Sequence, residues 1–180
     1  MKKLLLLSLV ITSFTLTSCS SDDDNAPMQQ ETGTDANLVG TWTATDVDYS
    51  GFTSTFVVDT GTTLRTEFTG QGVDIDLTLS FSESPNELTS VGTFDVDLTT
   101  VILGVSEDSM LLDLGFLTDG TWSRVGNTLT LVGTDSSTSE VSIELLTENS
   151  LRLRLTEGFA VSTDEVTQEE STVTVVTLSR

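Results

Sequence analysis

Val73-Asp74-Ile75-Asp76-Leu77-Thr78-Leu79-Ser80-Phe81 alternates apolar with acidic or hydroxyl residues through nine positions without a fault. Successive side chains of a strand point to opposite faces, so a period of two predicts a strand with one dry and one wet face. A helix would place its apolar residues every three or four positions. The same pattern recurs in Phe94-Asp95-Val96-Asp97-Leu98-Thr99, in Leu129/Leu131, Val141/Ile143/Leu145 and Leu151/Leu153/Leu155, and in Val173-Thr174-Val175-Val176-Thr177-Leu178. Upstream, residues 42–49, 52–59 and 64–68 read as strands, with the period slipping between Ala44 and Val47 as at a bulge.

Gly126-Asn127, set between Trp122-Ser123-Arg124-Val125 and Thr128-Leu129-Thr130-Leu131, is the signal of a two-residue hairpin. Asp59-Thr60-Gly61, Thr69-Gly70-Gln71-Gly72, Ser84-Pro85-Asn86, Asp135-Ser136-Ser137 and Glu148-Asn149 mark further turns. Strands of this kind with hardly any helix predict an all-β fold, a barrel or a sandwich. The short connections between consecutive strands from Leu64 to Leu155 favour an antiparallel up-and-down β-barrel of about 8–9 strands. Residues 38–180 suit one domain with a sizeable core.

The first 18 residues have another character. Met1-Lys2-Lys3 precedes an apolar stretch from Leu4 to Leu16, too short to span a bilayer, and small residues lead to Cys19. Leu16-Thr17-Ser18-Cys19 resembles the lipobox of bacterial lipoproteins, which implies cleavage before Cys19 and acylation of that residue. Several acyl chains, at about 0.8 kcal/mol per buried methylene, anchor a protein stably. Residues 19–37 are almost wholly polar and predict a disordered acidic tether, about 20–25 Å long as a flexible coil. Its Asp22-Asp23-Asp24 resembles the surface-export signal of one group of Gram-negative lipoproteins, placing the protein at the outer membrane, lipid-anchored and exposed on the cell surface. An acidic solubilising linker is the plainer use of the same run.

Composition narrows the chemistry. Lys2 and Lys3 are the only lysines, Cys19 the only cysteine, and there is no histidine. That removes Ser-His-Asp and Cys-His catalysis, Schiff-base lysines and ordinary zinc sites, leaving carboxylate-pair hydrolysis with no spacing that singles out a pair. No enzyme activity, cofactor or metal is therefore expected. Beyond residue 18, 28 acidic residues stand against Arg65, Arg124, Arg152, Arg154 and Arg180, a side-chain charge of −23. Nucleic acid needs clustered cations, and an anionic membrane would repel this chain, so the expected partner is the outer membrane through lipid alone.

Leu38-Val39-Gly40-Thr41-Trp42 resembles the G-x-W motif on the first strand of the lipocalins and of bacterial lipocalin-like lipoproteins. The chain lacks the T-D-Y motif and the helix after the barrel found in vertebrate lipocalins, so the bacterial group is the better match. The resemblance implies that Gly40 lets the chain turn in, that Trp42 plugs the base, and that a late arginine covers its ring. Arg180 is the candidate, with Arg154 second. It also implies a small hydrophobic ligand inside the barrel, with Trp42, Phe56, Phe68, Leu77, Leu79, Phe81, Phe94 and Val96 as candidate lining and Leu98 beside them. Those residues serve equally as plain core. Two other uses stay open: a ligand-free structural or adhesive surface module, and calcium held by Asp74/Asp76 and Asp95/Asp97 should their strands pair. Arg65, Arg152 and Arg154 point outward by alternation; Arg152 and Arg154 suit cross-strand ion pairs, with a carboxylate ligand as the alternative use.

Cells fed labelled palmitate are expected to label this protein, and Cys19→Ala to remove both label and membrane fractionation. Alanine at positions 22–24 should keep the label but shield the domain from protease added to intact cells. An unlabelled protein with a different mature first residue would overturn the anchoring.

Overall fold

Most of the alternating stretches are strands in the computed structural model of the chain, which describes residues 37–180. Eleven strands follow in order: β1 (Gly40–Val57), β2 (Thr62–Val73), β3 (Thr78–Phe81), β4 (Glu87–Val91), β5 (Phe94–Ile102), β6 (Val105–Leu114), β7 (Gly120–Val125), β8 (Thr128–Gly133), β9 (Thr138–Leu146), β10 (Ser150–Ser162) and β11 (Val166–Ser179). No helix occurs among the described residues. Cys19, the lipobox, the acid run and all of the expected tether except Asn37 lie outside the described residues.

These elements make eight antiparallel runs. β1 pairs with β2 along its upper half, Asp48 opposite Gln71, and with β3 along its lower half, Thr43 opposite Thr78. β2 and β3 are therefore one run broken at residues 74–77. β4 and β5 follow the same two partners, β4 on β3 and β5 on β2, and β6 and β7 continue it, β6 on β5 and β7 on β4. β8, β9, β10 and β11 then pair in sequence, and β11 returns to β1 from Thr43/Ser179 to Val57/Val166. The result is a closed eight-stranded up-and-down barrel of lipocalin-like architecture.

Three sequence expectations need correction. The stretch 73–81 is not one uniform strand, because Asp74 takes a positive φ of 48° and the chain is irregular until Thr78. Thr69-Gly70-Gln71-Gly72 is not a turn but the end of β2. Its glycines answer close approach: a Cβ on Gly70 would lie 2.4 Å from Val96 Cγ1, and one on Gly72 2.6 Å from Val47 Cβ. Phe56 does not face the interior. The bulge between Ala44 and Asp46 inserts one residue, so the inward set passes from Trp42 and Ala44 to Val47 and Tyr49, leaving Phe56 on the outer face at 38% exposed.

One end of the barrel is filled by side chains. Trp42 is fully buried, with Leu77, Leu79, Phe81, Leu88, Leu129, Leu151, Leu153 and Leu178 around it in one core. Its indole Nε1 donates to Leu38 O at 2.8 Å, which satisfies the polar atom such burial would otherwise strand. The Arg180 guanidinium lies 4.1 Å from the ring centroid and donates to Val39 O (3.0 Å), Asn37 O (2.9 Å) and Glu148 O. Gly40 adopts φ +135° beneath it, and a Cβ there would come within 3.0 Å of Arg180 Nη1. The expected closing trio of Gly40, Trp42 and Arg180 therefore stands together, while Arg154 lies elsewhere. Gly120-Thr121-Trp122 repeats the tripeptide on β7 but packs differently: Trp122 meets Phe81 edge-on at 5.9 Å and donates to Ser82 O.

Trp42→Ala is expected to lower stability by about 3–5 kcal/mol, as for other buried tryptophans. Arg180→Ala should lower it by about 1–3 kcal/mol, and Arg180→Lys should recover only part because it cannot fork between two carbonyls. Urea denaturation of the three variants checks the order.

Candidate ligand-binding cavity

Unequal strand lengths open the other end. β9 pairs with β10 only as far as Leu155 opposite Val141, so residues 156–162 of β10 have a single neighbour, β11. β6 likewise pairs only with β5. Two free edges thus flank a gap in the upper wall, and the chain between β6 and β7 folds into its base. Phe116 and Leu117 are buried in the core there. Asp119 fixes the segment, its Oδ1 accepting from Ser90 N–H at 2.7 Å and its carbonyl from Thr134 N–H at 3.1 Å.

Above this floor lies a cavity of about 400 Å³. Tyr49 of β1, Phe94 of β5, and Leu114 with Gly115 at the end of β6 form one side. Glu157, Gly158 and Phe159 of β10 with Glu170, Thr172 and Thr174 of β11 form the other. Phe68 stacks on Tyr49 at 5.7 Å, its ring over Gly51, where a Cβ would collide with it at 2.5 Å. A smaller cavity of about 310 Å³ continues behind residues 116–118 toward Leu131 and Leu155, and a shallower one of about 360 Å³ follows β10 and β11. Glu157 borders all three.

Of the candidate lining residues, Phe94 alone reaches the 400 Å³ cavity. Trp42, Leu77, Leu79, Phe81 and Val96 belong to the packed core, Leu98 packs against it, and Phe68 backs Tyr49. Tyr49, Glu157, Phe159, Glu170 and Thr172 were not singled out by sequence. A signal existed for two of them: the inward alternation Leu151/Leu153/Leu155 runs on through Glu157 and Phe159, which places an acid where the pattern calls for an apolar residue.

The outer face carries the ion pairs that the arginines were expected to make. Arg152 meets Asp48 (3.2 Å) and Glu144 (3.0 Å), and Arg154 also binds Glu144. Asp48 takes a further bond from Gln71 Nε2 at 3.0 Å, so the network links β2, β1, β10 and β9. Burial pushes the Glu144 carboxyl up, and the hydrogen bonds and charges of Arg154 and Arg152 together outweigh it, holding the group below its ordinary value. The two aspartate pairs do not assemble: Asp74 and Asp76 lie in the break after β2, while Asp95 Oδ1 accepts from Asp113 N–H at 2.9 Å. Among the described residues no three of His, Cys, Asp and Glu are grouped to hold a metal ion.

Fold and cavity together define a lipocalin-like barrel, packed at one end and hollow at the side of the other. Comparison with protein-family models, curated proteins and solved structures finds no match to this chain.

Since the folded pKa of Glu144 lies below the ordinary 4.5, its stabilisation is full above that pH and is lost as pH falls through the folded value. Glu144→Gln should cost about 0.5–1 kcal/mol at neutral pH, discounted for the half-exposed arginines, and the gap should close in acid. Urea midpoints of both proteins across an acid titration measure it. A constant gap would disprove the coupling.

Proposed function

We propose that this chain is a lipid-anchored, non-enzymatic lipocalin-like lipoprotein of the outer membrane, facing the cell surface, which binds a small hydrophobic molecule in the cavity between β6 and β10. The observation that carries binding is the cavity itself. Its volume of about 400 Å³ falls within the range of roughly 300–1,000 Å³ typical of small-molecule sites. Tyr49, Leu114 and Phe159 supply apolar surface whose release from water favours a ligand. Phe159 is 48% exposed in an inward-facing position, so covering it is gainful, whereas Phe94 is already buried. The anchoring half of the proposal rests on Leu16-Thr17-Ser18-Cys19 and the acid run after it. The absence of histidine, and of lysine beyond residue 3, favours binding over catalysis.

Gly115 offers a clean test, because a Cβ there meets nothing within 4 Å and its φ is not positive. Gly115→Trp should fill the cavity without disturbing the barrel. N-phenylnaphthylamine, an uncharged apolar fluorophore, is expected to bind the full chain and to lose that binding in Gly115→Trp. Both proteins carry the same residues 1–36, so the difference isolates the cavity. Identical fluorescence in the two would decide for the ligand-free surface module.

A further inference from the structure

The cavity is apolar on one wall and anionic on the other. Glu157 lies two residues past the buried Leu155, on the inward face of β10. Glu170 shares the inward positions of β11 with Thr174, Val176 and Leu178. In register, Glu157 stands opposite Thr172, and Phe159 opposite Glu170. The two acids are thus diagonal neighbours on adjacent strands, close enough to meet one ligand group.

Neither carboxylate has a cation within the described residues. Arg65 pairs with Glu67, and Arg152 and Arg154 with the outer-face acids. Arg124 donates to Gly126 O, and Arg180 is spent on the backbone around Trp42. The two lysines, Lys2 and Lys3, lie outside the described residues. Two acids without a cationic partner on adjacent inward positions gain from any cation brought between them. Tyr49 and Phe159 line the same cavity, which gives the apolar chain of such a ligand aromatic surface beside the carboxylates that hold its charge. A fatty acid would set its carboxylate against both glutamates.

We propose that the ligand is an amphipathic cation, an amine bearing an apolar chain, with its ammonium between Glu157 and Glu170 and its chain against Tyr49, Phe94, Leu114 and Phe159. This rests on the reading of the cavity as a small-molecule site. It specifies the headgroup, which that reading leaves open.

Three probes with one chain and different headgroups separate the two. Dodecylamine, dodecanol and dodecanoate, each below its micellar concentration at neutral pH, compete with N-phenylnaphthylamine on the full chain. Dodecylamine should displace the fluorophore at about tenfold lower concentration than dodecanol, with an advantage that shrinks as salt is added. Dodecanoate should be the weakest. In the Glu157→Gln/Glu170→Gln double variant, which keeps side-chain shape, dodecylamine should fall to the level of dodecanol while dodecanol is unchanged. Displacement by dodecanol or dodecanoate as effective as by the amine overturns the cationic ligand but leaves the cavity a binding site. Displacement by none of the three, with fluorescence no higher than in Gly115→Trp, overturns both.

Discussion

The contact between the Arg180 guanidinium and the Trp42 ring is where this barrel is fastened. Arg180 directly follows β11 and Trp42 lies near the start of β1, and the arginine side chain also gathers the carbonyls of Asn37, Val39 and Glu148. One planar cation thereby joins the approach to the first strand, the turn before β10 and the closing strand. Closure of β11 on β1 removes two edges that a flat sheet of the same strands would expose. Gly40 is the geometric condition, because a side chain at its positive φ would occupy the space the guanidinium needs.

From that fastening the barrel changes character along its axis. Near Trp42 the interior is filled by leucines and aromatics. Farther up, β8 and β9 stop while β6 and β10 continue, and the wall opens between them. The segment 115–119 partitions the two regions by turning Phe116 and Leu117 inward. Strand length and this segment together separate the packed part of the fold from the part that holds the cavity.

Fold class was legible because a period of two marks most strands here, on either side of the bulge after Ala44 and of the break at residues 74–77. Topology was legible for a similar reason, as antiparallel neighbours in sequence are neighbours in space. Side-chain direction was the harder quantity. A single inserted residue after Ala44 inverts every later position of β1, which put Tyr49 inside and Phe56 outside. Glycines misled for a different reason: Gly70 and Gly72 carry the composition of a turn but are needed where strands crowd Val96 and Val47. The closing trio could be named from Gly40-Thr41-Trp42 because a motif ties it to one end of the chain. The cavity could not, since it arises where β8 and β9 fall short of their neighbours and no local pattern records that difference.

The register between β1 and β11 has a bearing on the order of folding. Thr43 meets Ser179, so the fastening strand is separated from the first by nearly the whole described chain. Pairings so distant in sequence carry a large loop-closure entropy and form late and slowly. Until β11 has emerged, β1 holds only the partners on one side, and the nascent hairpins remain an open, extensible ribbon.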